Sequence, residues 1–251
     1  MSFEVAADAY DRYMGRYSAP LAPQLADFAG VRSPQRVLDV GSGPGALTAE
    51  LVARLGAESV VAVDPSESFV DAARARQPGV DVRHASAEEL PFPDDEFDAA
   101  LAQLVVHFMA DPVGGLREMS RVTRHGGIVA ACVWDFEGGR GPISLMWTAA
   151  KQLDPAAEDE SALAGSRRGH LAELLGDAGL QDVSEAELAV HIDHVGFDEW
   201  WAPFTSGVGP GGSYVAGLDP DQRDDLRERC RELAPTPFSL DAAAWAARGV
   251  A

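Results

Sequence analysis

The chain has 251 residues, an apolar share of 46% and a formal charge of −20, from 40 acidic and 20 basic side chains. This suits one α/β domain with insertions, or at most two small domains, with apolar residues enough for a sizeable core. The acidic balance repels phosphate backbones and so disfavours a nucleic-acid substrate.

No apolar run reaches about 18 residues, and "MSFEVAADAYDRYMGRY" lacks both a basic n-region and an apolar stretch. Neither a signal peptide nor a membrane span is expected. The two cysteines, Cys132 in an apolar run and Cys230 in a charged stretch, suggest no disulfide framework and predict a cytoplasmic setting. No Cys/His spacing resembles a zinc site, and no metal is expected.

Strands are predicted at 36–40 (RVLDV), 59–63 (SVVAV), 80–83 (VDVR), 97–102 (FDAALA) and 127–134 (GIVAACVW). Helices with i, i+3, i+4 apolar spacing fall between them at 45–55, 66–76 and 111–124, the last opened by Asp111-Pro112 as N-cap and N1. Such alternation argues a parallel sheet with right-handed crossovers. Beyond Trp134 the pattern loosens into a loop with a short helix near 143–152, a helix at 167–178 and a strand at 182–193. A Trp-rich segment at 197–206, a glycine-rich loop "GVGPGGSYV", a charged helix at 220–233 and a final strand in "FSLDAAAWAARGV" complete the chain.

"VLDVGSGPG" at 37–45 ends the first strand and opens a helix, the place where parallel sheets bind nucleotides. Gly41, Gly43 and Ala46 satisfy the dinucleotide pattern G-x-G-x-x-G/A, so spacing leaves two ligands open. Asp39 separates them. A carboxylate repels the pyrophosphate of a dinucleotide but attracts the ammonium and sulfonium of S-adenosylmethionine. Asp64, at the end of the second strand and 23 positions beyond Gly41, can accept both ribose hydroxyls of either ligand.

"VLDVGSGPG", "VVAVDPS", "HASAEELPFPDDEFDAAL" and "REMSRVTRHGGIVAACVWD" together resemble the successive motifs of class I S-adenosylmethionine-dependent methyltransferases. The nearest branch is the small-molecule group that includes the ubiquinone/menaquinone-biosynthesis type, and the resemblance covers about residues 10–135. It implies a Rossmann-like α/β fold: a seven-stranded, mostly parallel sheet with helices on both faces and an antiparallel last strand. It also implies one domain over 1–251, with 1–30 capping the cofactor and 136–165 and 197–235 as acceptor-side insertions. By the same resemblance Gly41, Gly43 and Gly45 line the methionine moiety with Asp39 behind them, and Asp64 with Pro65 holds the ribose. Ser86, Ala87 and Glu88 match the adenine turn, where many relatives have Asp in place of Ser86. Gln103 lies near the methionine end, and Tyr10, Tyr13 and Arg16 close over the cofactor.

Methyl transfer to a small-molecule acceptor, with S-adenosylhomocysteine as product, is the activity this implies. A nicotinamide-dependent oxidoreductase and a cofactor-binding protein without transfer chemistry are the alternatives. In-line displacement at an activated methyl group mainly needs alignment and exclusion of water. Where a base is needed, His107 after the fourth strand is the candidate. Trp134, Trp201 and Tyr214 are the candidate acceptor contacts. No residue signature fixes the acceptor, O-, N- or C-methylation, or the oligomeric state.

Overall fold

The computed structural model describes residues 7–251, so the first six residues of the expected cap lie outside the described part. Seven strands form one sheet: β1 (Val37–Val40), β2 (Val60–Asp64), β3 (Asp81–His84), β4 (Phe97–Gln103), β5 (Thr123–Trp134), β6 (Gln181–Asp193) and β7 (Ser239–Val250). Their order is β3-β2-β1-β4-β5-β7-β6. Pairs from β3 through β5 are parallel, and β7 runs antiparallel to both β5 and β6. The Rossmann-like sheet with an antiparallel last strand is therefore present. Its strand order reverses between β1 and β4, which opens a crevice at their carboxyl ends.

Ten α-helices cover the sheet among the described residues. They are α1 (Ala7–Tyr10), α2 (Arg16–Ala29), α3 (Ala46–Leu55), α4 (Glu67–Arg76), α5 (Pro112–Val122), α6 (Ser144–Leu153), α7 (His170–Asp177), α8 (Phe197–Trp201), α9 (Gly209–Gly217) and α10 (Pro220–Leu233). One core lies between the sheet and α2, α3 and α6, the other between the sheet and α5 and α7. The two-residue period of β1 divides it between them: Leu38 and Val40 face the α5 side, Val37 the α2 side. Caps fall where the sequence places them. Asp111 accepts from the Gly114 amide at the start of α5, and Asp219 with Gln222 forms a capping box on α10.

Two differences from the expected elements bear on packing. Helix α5 stops at Val122 rather than 124, because β-branched Thr123 already pairs with Phe97 in β5 and turns its hydroxyl back onto the Met119 carbonyl at 2.7 Å. The larger difference is the glycine-rich stretch, which is helix α9 and not an open loop. Its glycines serve close packing: a Cβ on Gly211 would stand 2.9 Å from Tyr13 Oη, and one on Gly212 would stand 2.8 Å from the Gly207 carbonyl carbon.

Gly212 and Gly217 of α9 should therefore respond oppositely to alanine. Gly212→Ala must displace backbone and should lose about 1–3 kcal/mol. Gly217→Ala meets nothing within 4 Å and should be neutral or gain up to about 1 kcal/mol from helix propensity. Urea unfolding of both variants measures this; equal effects would mean that α9 does not need its glycines for packing.

Candidate functional site

At the carboxyl edge of β1, β2 and β4 a cavity of about 170 Å³ opens at the switch point. The turn from β1 into α3 forms its floor. Gly41, Gly43 and Gly45 all have positive φ there, which fits the tight backbone path from strand to helix. At Gly43 a Cβ would meet nothing within 4 Å, so this backbone borders open space. At Gly41 it would fall 2.5 Å from both methyls of Val105, so that glycine also lets the segment after β4 approach.

Asp39 is 1% exposed. Its Oδ2 accepts from the Thr48 hydroxyl of α3 at 2.6 Å, while its Oδ1 is buried with no hydrogen-bond partner. Burial pushes its pKa up to about 7; the Thr48 hydrogen bond opposes this and the nearby Asp64 charge adds to it. Asp64 accepts from the Gly43 amide through Oδ2 and the Ser66 amide through Oδ1, each at 2.8 Å. It thereby ties the glycine turn to β2, and each oxygen keeps a further lone pair. Burial raises its pKa as well, against those two amides.

Gln103, at the end of β4, donates through Nε2 to the Ser18 carbonyl of α2 at 3.0 Å and leaves Oε1 buried and unpartnered. Tyr10, Asp11 and Ser18 bring the N-terminal helices over the opening, and Tyr10 packs on Phe69 with ring centroids 5.3 Å apart. Asp11 is ion-paired to Arg76 at 2.6 Å. Among the described residues lining the cavity there are three aspartates and neither lysine nor arginine. Two unpaired acceptors in an acidic recess suit a ligand bearing donors and positive charge.

A second, narrower cavity of about 30 Å³ shares Tyr10, Leu104 and Phe108 with the first. Leu104 holds φ +63, a left-handed conformation unfavourable for a branched side chain, while its amide donates to the Cys132 carbonyl at 2.9 Å. His107, Trp134, Tyr13 and Glu160 reach the wall of this second space. His107 Nδ1, Trp134 Nε1 and Tyr13 Oη are all buried without partners. Burial lowers the His107 pKa to about 3, so its imidazole is neutral near pH 7, a hydrogen-bonding group and a weak base.

The structure thus brings Tyr10, Asp39, Gly41, Gly43, Asp64, Pro65 and Gln103 to one cavity, and His107 and Trp134 to its neighbour. Gly45 stands just outside the first cavity, at the α3 N-cap. Ser86, Ala87 and Glu88 form the turn after β3 beyond the cavity wall, where Glu88 Oε1 accepts from the Ala110 amide at 2.8 Å.

Three expected site residues stand away from the two cavities. Arg16 does not reach the cavity: its guanidinium pairs with Glu199 at 2.6 Å and with His194 Nδ1 at 2.9 Å, because carboxylate and imidazole lie on that side of α2. Trp201 is 5% exposed within an aromatic cluster of Phe197, Trp200 and Phe204. Tyr214 packs on Trp147 with centroids 5.2 Å apart. Neither borders the two cavities; from that insertion Val208, Gly209 and Pro210 do. Sequence reasoning missed Leu104, Phe108 and Glu160. Glu160 sits in the acidic run "AAEDES", which reads as a solvated surface until its 4% exposure is known.

Residues 38–131 match the family model described as "Methyltransferase domain". The chain is 39% identical over 135 residues to an uncharacterized methyltransferase of Mycobacterium tuberculosis, covering 54% of this chain and 52% of that protein. It is 38% identical over 100 residues to the chloroplastic 2-methyl-6-phytyl-1,4-hydroquinone methyltransferase 2 of Oryza sativa subsp. japonica, covering 39% of this chain and 28% of that one. It spans only about half the length of the first of these relatives. In fold it is similar to a solved S-adenosylmethionine-dependent methyltransferase of Thermotoga maritima, described as a possible histamine N-methyltransferase. That likeness has a TM-score of 0.58 at 19% identity and covers 97% of this chain and 95% of the other. The cofactor such a domain implies fits the residues present: the buried, unpaired Asp39 and Gln103 oxygens and the open backbone at Gly43 are the features its cationic methionine end requires. With these motifs, this strand order and this cavity, the chain is similar to class I S-adenosylmethionine-dependent methyltransferases, and its residues 38–131 match a methyltransferase domain.

Proposed function

We propose that the protein transfers a methyl group from S-adenosylmethionine to a small-molecule acceptor. The observation that carries this is the pair of adjoining cavities: an acidic one at the switch point and a mostly apolar one beyond Leu104 and Phe108. The cofactor supplies an activated methyl group on a cationic sulfur, whose bonding electron pair stays with sulfur as the methyl leaves. Asp39 and Gln103 would hold the cationic methionine end, and Asp64 would accept from the ribose hydroxyls. The amides of Ala46 and Leu47, in the first turn of α3, would receive the carboxylate that Arg16 does not reach.

Residues 7–30 act as the cap, and segments 136–165 and 197–235 form the acceptor side of a single domain. The narrow passage at Tyr10, Leu104 and Phe108 aligns the acceptor and excludes water. The net charge of −20 favours a small molecule over nucleic acid. Two free, buried cysteines are consistent with a cytoplasmic setting, and no helix among the described residues is long and apolar enough to cross a membrane. Among the described residues no three His, Cys, Asp or Glu side chains gather as a metal site. Transfer should accordingly persist in EDTA.

Asp64→Ala should weaken S-adenosylmethionine binding by about 1.5–3 kcal/mol, the range for hydrogen bonds to a charged group. Unchanged affinity by calorimetry on the folded variant would remove Asp64 from the ribose site.

Asp39 should reveal itself through pH. Its pKa is about 7 in the folded chain against an ordinary 3.8, so the folded state holds the proton more tightly than the unfolded one. Its contribution to stability is full below about pH 4 and is lost as pH rises through about 7, a change of at most ~4 kcal/mol. Asp39→Asn should flatten this part of the profile and raise the stability of the ligand-free protein at pH 8, measured by urea unfolding at pH 5 and pH 8. The same variant should weaken cofactor binding. Calorimetry near pH 6.5, in buffers of different ionisation heat, should show proton release on binding in the wild type and none in the variant. Equal proton release in both would assign the cation site elsewhere.

A further inference from the structure

The second cavity carries a buried carboxylate in its wall. Glu160 opens a short 3-10 turn, Glu160–Ala162, and is 4% exposed. Its Oε2 accepts from Trp147 Nε1 of α6 at 2.8 Å, which fixes the carboxyl plane while the side chain remains part of the cavity wall. Around it the wall is mainly apolar, built from Met14, Leu104, Phe108, Phe136, Ile143 and Val208. Three polar atoms on wall residues are buried and unpaired: Tyr13 Oη, His107 Nδ1 and Trp134 Nε1. Such atoms cost free energy unless a ligand satisfies them, and a cluster of them in one cavity specifies that ligand.

We propose that Glu160 receives the acceptor in this cavity and takes its proton, and that the acceptor is an uncharged, largely apolar molecule bearing a phenol- or enol-type hydroxyl. The inference rests on the methyl-transfer reading above and deepens it. An anionic acceptor would meet Glu160 with no lysine or arginine among the described lining residues to compensate. A cationic acceptor would stand beside the positive charge expected in the first cavity. A neutral hydroxyl meets neither obstacle.

As its O–H bond breaks, the proton goes to a Glu160 oxygen and the freed electron pair stays on the acceptor oxygen, which becomes the nucleophile. That oxygen can still accept from the Tyr13 hydroxyl and the Trp134 N–H, whereas a neutral amine has a single lone pair, needed for the new bond. At about 30 Å³ the cavity takes the hydroxyl-bearing end, and the acceptor body parts the wall at residues 208–210.

The surroundings suit proton exchange near neutrality. Burial raises the Glu160 pKa to about 7, with the Trp147 hydrogen bond opposing and the neighbouring Asp159 adding. The groups facing it are Tyr10 and Tyr13 from the N-terminal helices and His107 after β4. Asp159 beside it is paired with Lys151 of α6. His107, with its lowered proton affinity, positions the hydroxyl and does not compete for the proton.

Phenol and benzoate are the probes, titrated calorimetrically at pH 8 with and without S-adenosylhomocysteine, on wild type and on E160Q with its fold checked by thermal unfolding. The wild type should bind phenol at least tenfold more tightly than benzoate, and E160Q should bring the two within about threefold. The wild type at pH 5.5, where Glu160 is protonated, should lose the same discrimination, which tests the idea even if the variant does not fold. With any hydroxyl acceptor that yields S-adenosylhomocysteine, E160Q should lower kcat by about 100-fold or more while cofactor affinity stays within twofold.

Equal binding of phenol and benzoate to wild type at pH 8, no binding of phenol, or discrimination that survives both E160Q and pH 5.5 would overturn the assignment. Failure of the wild type to bind S-adenosylhomocysteine would instead overturn the methyl-transfer reading, a result separate from the probe pattern measured without it.

Discussion

The structure turns on one carboxyl oxygen that nothing in the protein satisfies. Asp39 occupies a strand interior, a place that disfavours aspartate, and only one of its two oxygens finds a donor, the Thr48 hydroxyl. Burial there costs stability, and on the proposed reading the ligand, not the chain, removes that cost. The rest follows from reaching that oxygen. Glycines in left-handed conformations turn the chain out of its way, Asp64 holds the turn in place through the Gly43 amide, and the β1–β4 switch point leaves the space open.

The N-terminal helices are held over the same cavity by contacts of their own. Helix α2 is anchored on the sheet by Gln103 donating to the Ser18 carbonyl, and by the buried side chains of Leu21 and Leu25. That docking carries Tyr10 and Asp11 over the opening. Arg16 faces away and closes a separate network with Glu199 and His194, with Tyr17 hydrogen-bonded to the same imidazole at 2.8 Å. The cap is thus fastened to α8 through ion pairing on one side and to β4 through a backbone carbonyl on the other.

What the sequence disclosed and what it withheld divide along physical lines. Asp39, the glycine turn and Asp64 were legible because their chemistry contradicts their local setting: an acid in a strand and glycines at a helix start. Strand alternation and caps such as Asp111 were legible because they depend on neighbours in sequence. Arg16, Trp201 and Tyr214 stand apart from the cavities through packing that the sequence does not display: Arg16 pairs with Glu199, Tyr214 packs on Trp147, and Trp201 lies among Phe197, Trp200 and Phe204. The glycines of α9 read as flexibility, yet Gly212 is dictated by contact with Gly207 and Gly211 by Tyr13 and Met146. Glycine permits both a hinge and a close approach, and only tertiary packing distinguishes them.

Glu160 marks the limit of composition as a guide. In a chain with 40 acidic residues one more carboxylate carries no signal, and only its burial separates it from the rest. The two cavities then show a division of labour between buried acids. On the proposed reading, Asp39 would give up its proton to an arriving positive charge, whereas Glu160, with no cation nearby, would take a proton as the acceptor reacts; burial raises both pKa values to about 7. Leu104 and Phe108, both apolar, are shared with Tyr10 by the two cavity walls. Were they polar, the carboxylates would be hydrated, both would drop toward ordinary acidity, and neither would be matched to its task near pH 7. The left-handed backbone at Leu104 places an apolar side chain in the wall that both cavities share.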